Sequence, residues 1–178
     1  LWPFFKKNIV YHVHDVNSNS RQSRFFFKII DRKVLKYIAV SEFIKNDLKQ
    51  CGIAPDKIEV IHNGVKVESN LQSLPIKTDY FTIGIIGQLI PRKGHIDVIE
   101  AMKILSERGI NSVILKIVGE GDKEYKRSLT ELAAKYKLNN QIKFLGFQKT
   151  QDEIYGGVDI VIAPTRNDEP FALVPLEA

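Results

Sequence analysis

The stretch "FTIGIIGQLIPRKGHIDVIEAMKILSERGINSVILKIVG" (residues 81–119) holds a strand, a turn, a helix and a second strand. The segments 81–87 and 112–119 are near-continuous Ile/Val runs, as strands that are buried on both faces require. Between them, the segment 95–109 places its apolar residues on one helical face and ends at Gly109. A strand, a helix and a strand in this order predict a right-handed crossover and a parallel sheet.

The alternation extends in both directions from this stretch. Downstream, the sequence predicts a helix, a strand, a short helix and a strand at 122–137, 142–146, 151–157 and 158–164. Upstream, it predicts a strand, a helical grouping, a short strand, a helix and a strand at 8–15, 23–38, 37–41, 42–52 and 57–65. Ser41 is expected to cap the helix that Gly52 ends. The polar segment 66–79 is interpreted as a linker. The predicted fold class is therefore α/β, with parallel sheets covered by helices on both faces, in two parts.

Composition excludes several classes of protein. The chain has 178 residues, of which 44% are apolar and 26% charged, so it is not a disordered chain. The single cysteine, Cys51, excludes a disulfide framework and a cysteine zinc cluster. The four histidines lack convincing metal-ligand spacing, and His12 with His14 alone is a weak pair, so no metal site is predicted. The sequence contains no run of eighteen apolar residues, so no membrane-spanning helix is predicted.

The net charge of +5 is unevenly distributed. Residues 1–79 contain 13 Lys/Arg against 8 Asp/Glu, whereas residues 80–178 contain 13 against 13. A basic first part could attract an anionic lipid or a nucleic acid, and it is equally well explained as a solvated face with surplus lysines.

Ligands of parallel sheets bind beyond the carboxyl ends of the strands, so the loops there are the candidate site. In "GQLIPRKG" (87–94), Gly87 and Gly94 allow a close backbone approach, and Arg92 and Lys93 precede a helix N-terminus that favours anions. These residues suit a diphosphate, or they form an ordinary turn with two surface cations. The stretch is neither a Walker loop nor a dinucleotide fingerprint.

The next loop, "VGEGD" (118–122), repeats the pattern with Gly119 and Gly121 before Asp122. Taken alone, it is better explained as a turn followed by a helix cap.

Two glutamates near the end of the chain are separated by seven residues. In "EPFALVPLE" (169–177), Pro175 is compatible with the first turn of a helix, which places Glu177 in that turn and Glu169 on the preceding loop. A carboxylate accepts two hydrogen bonds from vicinal hydroxyls, so the pair suits a ligand with sugar, phosphate and sugar in a row. A solvated loop acid and a first-turn acid would give the same sequence.

In this order and spacing, "GQLIPRKG", "IVGEGD", "IKFLGF" and "EPFALVPLE" resemble the donor-binding half of retaining glycosyltransferases of family 4, which have the two-domain GT-B fold. "VHD" (13–15), "IAVSEFIKNDL" and "VIHNGV" resemble segments of that family's amino-terminal domain. The resemblance covers nearly the whole chain. It implies an acceptor-side part at 1–65, a linker at 66–79 and an incomplete donor-binding domain at 80–178, truncated at both ends.

The resemblance also implies roles for individual residues. Glu169 matches the glutamate that contacts the transferred sugar, Glu177 the one that contacts the ribose, and Lys93 the cation on the diphosphate. His14 matches a histidine that faces the reaction centre, so His14, Lys93 and Glu169 are the predicted catalytic residues. The predicted donor-binding residues are Gly87, Gln88, Arg92, Lys93, Gly119, Gly121, Leu145, Phe171, Ala172, Leu173 and Glu177.

The chain departs from the family pattern at two of these positions. Gln88 replaces a family arginine, which removes one positive charge from the diphosphate site. Ala172 replaces a family glycine, and alanine restricts positive φ.

The expected activity is transfer of a sugar from a nucleoside diphosphate to an acceptor hydroxyl with retention, without a cofactor. The acceptor would be a glycan or a lipid-linked glycan. A cytoplasmic location is expected, where the basic first part is compatible with docking to the inner face of the membrane. A non-catalytic nucleotide-sugar or phosphate-binding module is the alternative. A nucleic-acid-binding domain has only "RFFFK" (24–28) in its favour, so no nucleic-acid partner is expected.

Overall fold

The computed structural model describes residues 9–65, 79–166 and 169–178. The chain forms two compact units. The first contains Leu1–Lys66 together with Glu169–Leu173, and the second contains Val67–Asp168 together with Val174–Ala178. Most of the predicted linker, at 66–78, lies outside the described residues.

The first unit is built on a parallel sheet. Its elements are β1 (Ile9–Val13), α1 (Arg21–Ile30), β2 (Val34–Ala39), α2 (Glu42–Gln50) and β3 (Ile58–Val60), with a 3₁₀ turn at Pro55–Lys57. The strand order is β1-β2-β3. The core lies between this sheet and the inner faces of α1 and α2, where Phe27, Tyr37 and Ile44 are almost fully buried. As predicted, the Ser41 side chain caps α2 by accepting a hydrogen bond from the backbone of Ile44.

The prediction of a helical grouping at 23–38 is wrong in its second half. Helix α1 begins two residues earlier, at Arg21, and ends at Ile30. Val34 opens β2, which pairs with β1 along its length. The ion pair of Asp31, the residue after the helix, with Lys57 (3.0 Å) is a tertiary contact that helical periodicity does not encode.

The second unit is built on a second parallel sheet, of order β6-β5-β4-β7. Its elements are β4 (Phe81–Ile86), α3 (His95–Glu107), β5 (Val113–Val118), α4 (Lys123–Lys135), β6 (Ile142–Gly146), α5 (Gln151–Tyr155), β7 (Ile160–Ile162) and α6 (Val174–Glu177), with a 3₁₀ turn at Pro91–Lys93. The core contains Ile99, Met102, Leu115, Ile117 and Leu129, each at most 1% exposed.

Each strand and helix predicted for residues 80–164 is present, with ends that differ by a few residues. As predicted, Asp122 caps α4 by accepting a hydrogen bond from the backbone of Tyr125 (2.9 Å). The α/β fold class is confirmed.

Candidate functional site

The loops that follow β4 and β5 are joined by backbone hydrogen bonds to the ends of the neighbouring strands. Gly87 donates a backbone hydrogen bond to Val118 (2.9 Å), and Gly119 donates one to Gly146 (2.8 Å). A Cβ atom on Gly119 would lie 1.9 Å from the carbonyl oxygen of Gly87, and Gly119 has a φ of +132°. Only glycine fits there, so Gly119 draws the loops after β4 and β5 together.

The same two loops meet again further along. Leu89 donates a backbone hydrogen bond to Glu120 (2.9 Å) and is paired with Gly121 as an isolated parallel bridge. A Cβ atom on Gly121 would lie 2.2 Å from the carbonyl oxygen of Leu89. Leu89 is 1% exposed and packs in the core below the rim. Besides forming a turn before the cap of α4, the glycines of "VGEGD" therefore allow close backbone contact with the loop after β4.

The loop after β7 packs on the turn that carries the two predicted cations. Gly94 follows this 3₁₀ turn with a φ of +74°, and a Cβ atom there would lie 2.1 Å from the carbonyl oxygen of Pro164. The backbone of Arg166 donates to the carbonyl oxygen of Arg92 (2.9 Å). Gly94, which is predicted to allow a close backbone approach, also accommodates the loop after β7.

A two-point ion pair secures this loop to α3. Arg166 donates from Nε to Oδ2 of Asp97 (2.7 Å) and from Nη2 to Oδ1 (2.5 Å). The hydrogen bonds from Arg166 lower the pKa of the Asp97 carboxyl below its usual value. Sequence reasoning missed this pair, because 69 residues separate its members and neither belongs to a recognised motif.

Lys93 lies beside Gly87 at the end of β4. Its Cε atom is 3.9 Å from the position that a Cβ atom on Gly87 would occupy, and among the described residues, apart from the chain neighbours of Gly87, no other heavy atom lies within 4 Å of that position. The Lys93 and Arg92 side chains are half-buried, and Gln88 is exposed. The carboxyl end of β4 therefore has an open backbone surface with an ammonium group beside it, an arrangement that suits an anion.

The first residue of α3, His95, is fully buried below this turn. Its ring nitrogens make no hydrogen bond of standard geometry with the described residues, and its ring packs edge-on against Tyr125 with centroids 6.1 Å apart. Burial lowers the pKa of His95, Lys93 lowers it further, and the backbone of Ile90 opposes the shift. His95 is consequently neutral at neutral pH.

Leu145, a predicted donor-binding residue, lies in β6, with one residue between it and the loop that follows the strand. Leu145 is 36% exposed, and Phe147, which follows Gly146, is 67% exposed. The Nε2 atom of Gln148 donates to the carbonyl oxygen of Leu145 (2.8 Å), which fixes the backbone of this loop. An exposed aromatic ring beside the rim could stack on a flat ligand group.

Glu177 lies in the first turn of α6, as predicted from Pro175. Its Oε2 atom accepts a hydrogen bond from the Tyr155 hydroxyl at the end of α5 (2.9 Å). Sequence reasoning did not identify Tyr155, which belongs to none of the motifs.

Residues Glu169–Leu173 belong to the first unit. The Ser41 hydroxyl donates to the carbonyl oxygen of Pro170 (2.6 Å), and the Phe171 ring stacks on His62 with centroids 5.8 Å apart. Ala172 is exposed, and Lys137 is the one non-glycine residue with a positive φ in the described ranges. The backbone at Ala172 therefore does not require the glycine that the family pattern has there.

His14 directly follows β1 and is exposed. Its Nε2 atom is 3.3 Å from Nδ1 of His12, the other member of the weak pair. The loop after His14 is fixed by Asp47, which is 4% exposed and accepts hydrogen bonds from the backbones of Asn17 (2.8 Å) and Ser18 (3.1 Å) and from the Ser18 hydroxyl (2.5 Å).

The described residues contain neither a candidate metal cluster nor a candidate membrane-spanning helix. Across 9–65, 79–166 and 169–178, no three His, Cys, Asp or Glu side chains are grouped so that they could hold a metal ion. No helix in these ranges has both the length and the apolar character needed to cross a bilayer.

The chain forms two parallel sheets whose strand-end loops pack closely at glycines, and its fold is of the α/β, GT-B type. Solved structures share this fold. Anabaena Alr3699/HepE, in a crystal structure with UDP and glucose, is 25% identical with a TM-score of 0.82, over 97% of this chain and 50% of that one. A glycosyltransferase from Rickettsia africae is 24% identical with a TM-score of 0.81, over 99% of this chain and 50% of that one.

The family is shown by sequence. The family model described as glycosyl transferases group 1 matches residues 66–178, and the model for glycosyltransferase family 4 matches residues 1–69. The chain belongs to the group 1 glycosyltransferases.

The curated relatives are considerably longer than this chain. An uncharacterized glycosyltransferase of Methanocaldococcus jannaschii, MJ1178, is 31% identical over 162 residues, which are 89% of this chain and 41% of that protein. Glycogen synthase of Thermotoga maritima is 31% identical over 113 residues, which are 62% of this chain and 22% of that protein.

Proposed function

We propose that this chain is part of a longer retaining glycosyltransferase that moves a sugar from a nucleoside diphosphate to an acceptor hydroxyl of a glycan or polysaccharide. Residues 80–178 would form the donor-binding domain, residues 1–65 the carboxyl-terminal part of the acceptor-side domain, and residues 66–79 the linker. The chain spans half or less of the relatives described above, which supports the view that it is a fragment.

The placement of Lys93 beside the open backbone of Gly87 is the observation that carries this proposal. A diphosphate at the carboxyl end of β4 would meet the ammonium group of Lys93, with Arg92 half-buried in the same turn. Glu177 would accept hydrogen bonds from the ribose and Glu169 from the transferred sugar. The UDP and glucose in the HepE structure agree with a donor of this kind.

In the proposed reaction the bond between the anomeric carbon and the diphosphate oxygen breaks, and a bond to the acceptor oxygen forms on the same face. The acceptor proton passes to the departing diphosphate. Lys93 and Arg92 stabilise the negative charge that develops on the diphosphate, so the proposal assigns no step to a metal or a cofactor. His14 is proposed to lie at the reaction centre.

The test is donor turnover by the full-length protein. A ligand-observed NMR screen of UDP-sugars and GDP-mannose identifies the donor, and transfer is then measured. Lys93→Ala should lower turnover by at least about tenfold, because it removes a charge that acts on the leaving group. Lys143→Ala, which removes an exposed lysine of β6, is the control. Equal rates for the two variants would remove Lys93 from the site.

A non-catalytic nucleotide-sugar-binding module is a second candidate. The exposed Gln88, which stands where the family has an arginine, leaves the diphosphate with one cation fewer. Release of free nucleotide on incubation of the full-length protein with donor and acceptor would exclude this candidate. Binding without release would support it.

We also propose a peripheral contact with an anionic membrane at its cytoplasmic face, made by α1. Phe25 and Ile29 are 65% and 54% exposed on the side of α1 that faces away from the core. The basic residues Arg21, Arg24 and Lys28 are exposed beside them, and the helix contains no acidic residue. Apolar side chains that are flanked by cations are typical of helices that lie in a membrane interface.

A further inference from the structure

The hydrogen bond between Tyr155 and Glu177 gives the second glutamate a fixed geometry. The hydroxyl of Tyr155 donates to Oε2 of Glu177 over 2.9 Å, and both side chains are half-buried. An ionised carboxylate has about four lone-pair directions on its two oxygens, and the phenol occupies one of them. Oε1 is thereby oriented, and it makes no hydrogen bond with the residues that the structure describes, so it can accept hydrogen bonds from a ligand.

The backbone that carries Tyr155 is held firmly at both ends of α5. At its start, Thr150 and Glu153 form a reciprocal capping box. At its end, Gly156 donates a backbone hydrogen bond to Asp152 (2.8 Å). The Nζ atom of Lys116 on β5 donates to the carbonyl oxygens of Gly156 and Gly157, each at 3.0 Å. Because this backbone is fixed, the side chain of Tyr155 is well placed to orient the side chain of Glu177.

Glu177, by contrast, stands on a helix of only four residues. A single helical turn has little stability of its own, so a side chain on it needs tertiary contacts for a defined rotamer. The Tyr155 hydroxyl provides such a contact. Burial raises the pKa of Tyr155, and the hydrogen bond to Glu177 raises it further, so the phenol stays protonated and remains a donor near neutral pH.

We propose that Tyr155 is a positioning residue for donor binding, which holds the Glu177 carboxylate so that its second oxygen accepts the ribose hydroxyls of the nucleotide. This inference rests on the proposed function, because it assigns Tyr155 a role within the donor site. Tyr155 itself would touch no reacting atom.

The chain contains a matched control for this interaction. The hydroxyl of Tyr136, which follows α4, donates to Oε1 of Glu100 on α3 (2.6 Å), and neither residue belongs to the candidate site. Tyr136→Phe therefore deletes a half-buried phenol–carboxylate hydrogen bond in the same unit, as Tyr155→Phe does. A difference in donor binding between the two variants reports on position, since the lost chemistry is the same.

The experiment measures binding of UDP and GDP, and the KM of the donor, in the full-length protein. Tyr155→Phe should weaken binding of the preferred nucleotide and raise the donor KM by about tenfold, the effect expected for one hydrogen bond to a charged group, with kcat changed by less than about threefold. Tyr136→Phe should leave the nucleotide affinity and the donor KM within about twofold of the wild type. It should nevertheless lower the melting temperature about as much as Tyr155→Phe does.

A second readout would not respond to a merely structural role. In the wild type, 2′-deoxy and 3′-deoxy forms of the nucleotide should bind more weakly than the ribose form. In Tyr155→Phe this discrimination should shrink, because Glu177 no longer presents a fixed oxygen. Glu177→Gln should show the same reduced discrimination, and adding Tyr155→Phe to it should cause little further loss.

The outcomes separate this inference from the function on which it rests. Equal donor binding and equal ribose discrimination in Tyr155→Phe and Tyr136→Phe, in a protein that transfers sugar, would overturn the role of Tyr155 alone. Nucleotide binding without transfer would overturn the transferase proposal while the Tyr155 comparison is still decided by binding. A wild type that binds neither UDP nor GDP would overturn both.

Discussion

Gly94→Ala isolates the contact that brings the loop after β7 onto the cationic turn. Gly94 has a φ of +74°, and a Cβ atom there would lie 2.1 Å from the carbonyl oxygen of Pro164, which is backbone and cannot rotate away. Gly109 has a φ of +77° at the other end of α3, and a Cβ atom there would meet nothing within 4 Å. The two substitutions share the backbone strain and differ in the collision.

The expected magnitudes follow from these contacts. Left-handed strain should destabilise Gly109→Ala by about 1–2 kcal/mol. Gly94→Ala adds the cost of displacing the Pro164 carbonyl, about 1–3 kcal/mol by analogy with overpacking. It also loses the hydrogen bond from Arg166 to Arg92 (2.9 Å), about 1 kcal/mol. The total for Gly94→Ala is about 3–6 kcal/mol.

The assay is urea unfolding followed by circular dichroism, together with calorimetric titration of UDP, for both variants of the full-length protein. Gly94→Ala should be the less stable by about 2–4 kcal/mol, and it should bind UDP at least about tenfold more weakly if the turn contacts the diphosphate. Gly109→Ala should bind UDP as the wild type does. Stabilities within about 1 kcal/mol of each other would refute the inferred collision.

Two further predictions concern pH and membranes. Because burial lowers the pKa of His95, the unfolded chain binds a proton that the folded chain does not. The free energy of unfolding should therefore be unaffected by His95 above about pH 7 and should fall below about pH 6.5, by up to about 1.4 kcal/mol per pH unit. His95→Phe should reduce that slope, and identical slopes in urea titrations would contradict the assignment. In sedimentation with vesicles, Arg21→Gln with Lys28→Gln should weaken binding to phosphatidylglycerol-containing membranes by at least about tenfold. Lys123→Gln with Arg127→Gln, on α4, should not, and equal loss in both pairs would argue against a contact at α1.

Local signals were sufficient to predict most of the second unit. Its strands are short Ile/Val runs between turn residues, and the helices carry their own start signals, as with Asp122, whose side chain does cap α4. Such signals act over a few residues, so sequence reasoning can find them without knowing the tertiary structure.

Sequence reasoning failed where a distant residue decided the local structure. The spacing of Val34 and Tyr37 continues the apolar period of α1, yet both are buried in β2. Parallel pairing with β1 and the ion pair of Asp31 with Lys57 are long-range contacts, and these override the helical preference of the segment.

In the candidate site, too, the residue types could be predicted from the sequence, whereas their long-range partners could not. The glycines and cations of "GQLIPRKG" could be identified because motifs record which residue types a position tolerates. The structural reasons for these residues could not be predicted. Gly94 is required by Pro164, which is seventy positions away, and Glu177 is oriented by a tyrosine outside every motif. A motif thus identifies the residues that meet a ligand more readily than those that hold them in place. The supporting residues Asp97, Tyr155 and Arg166 follow from the structure alone, and in this chain they connect the loops on which donor binding would depend.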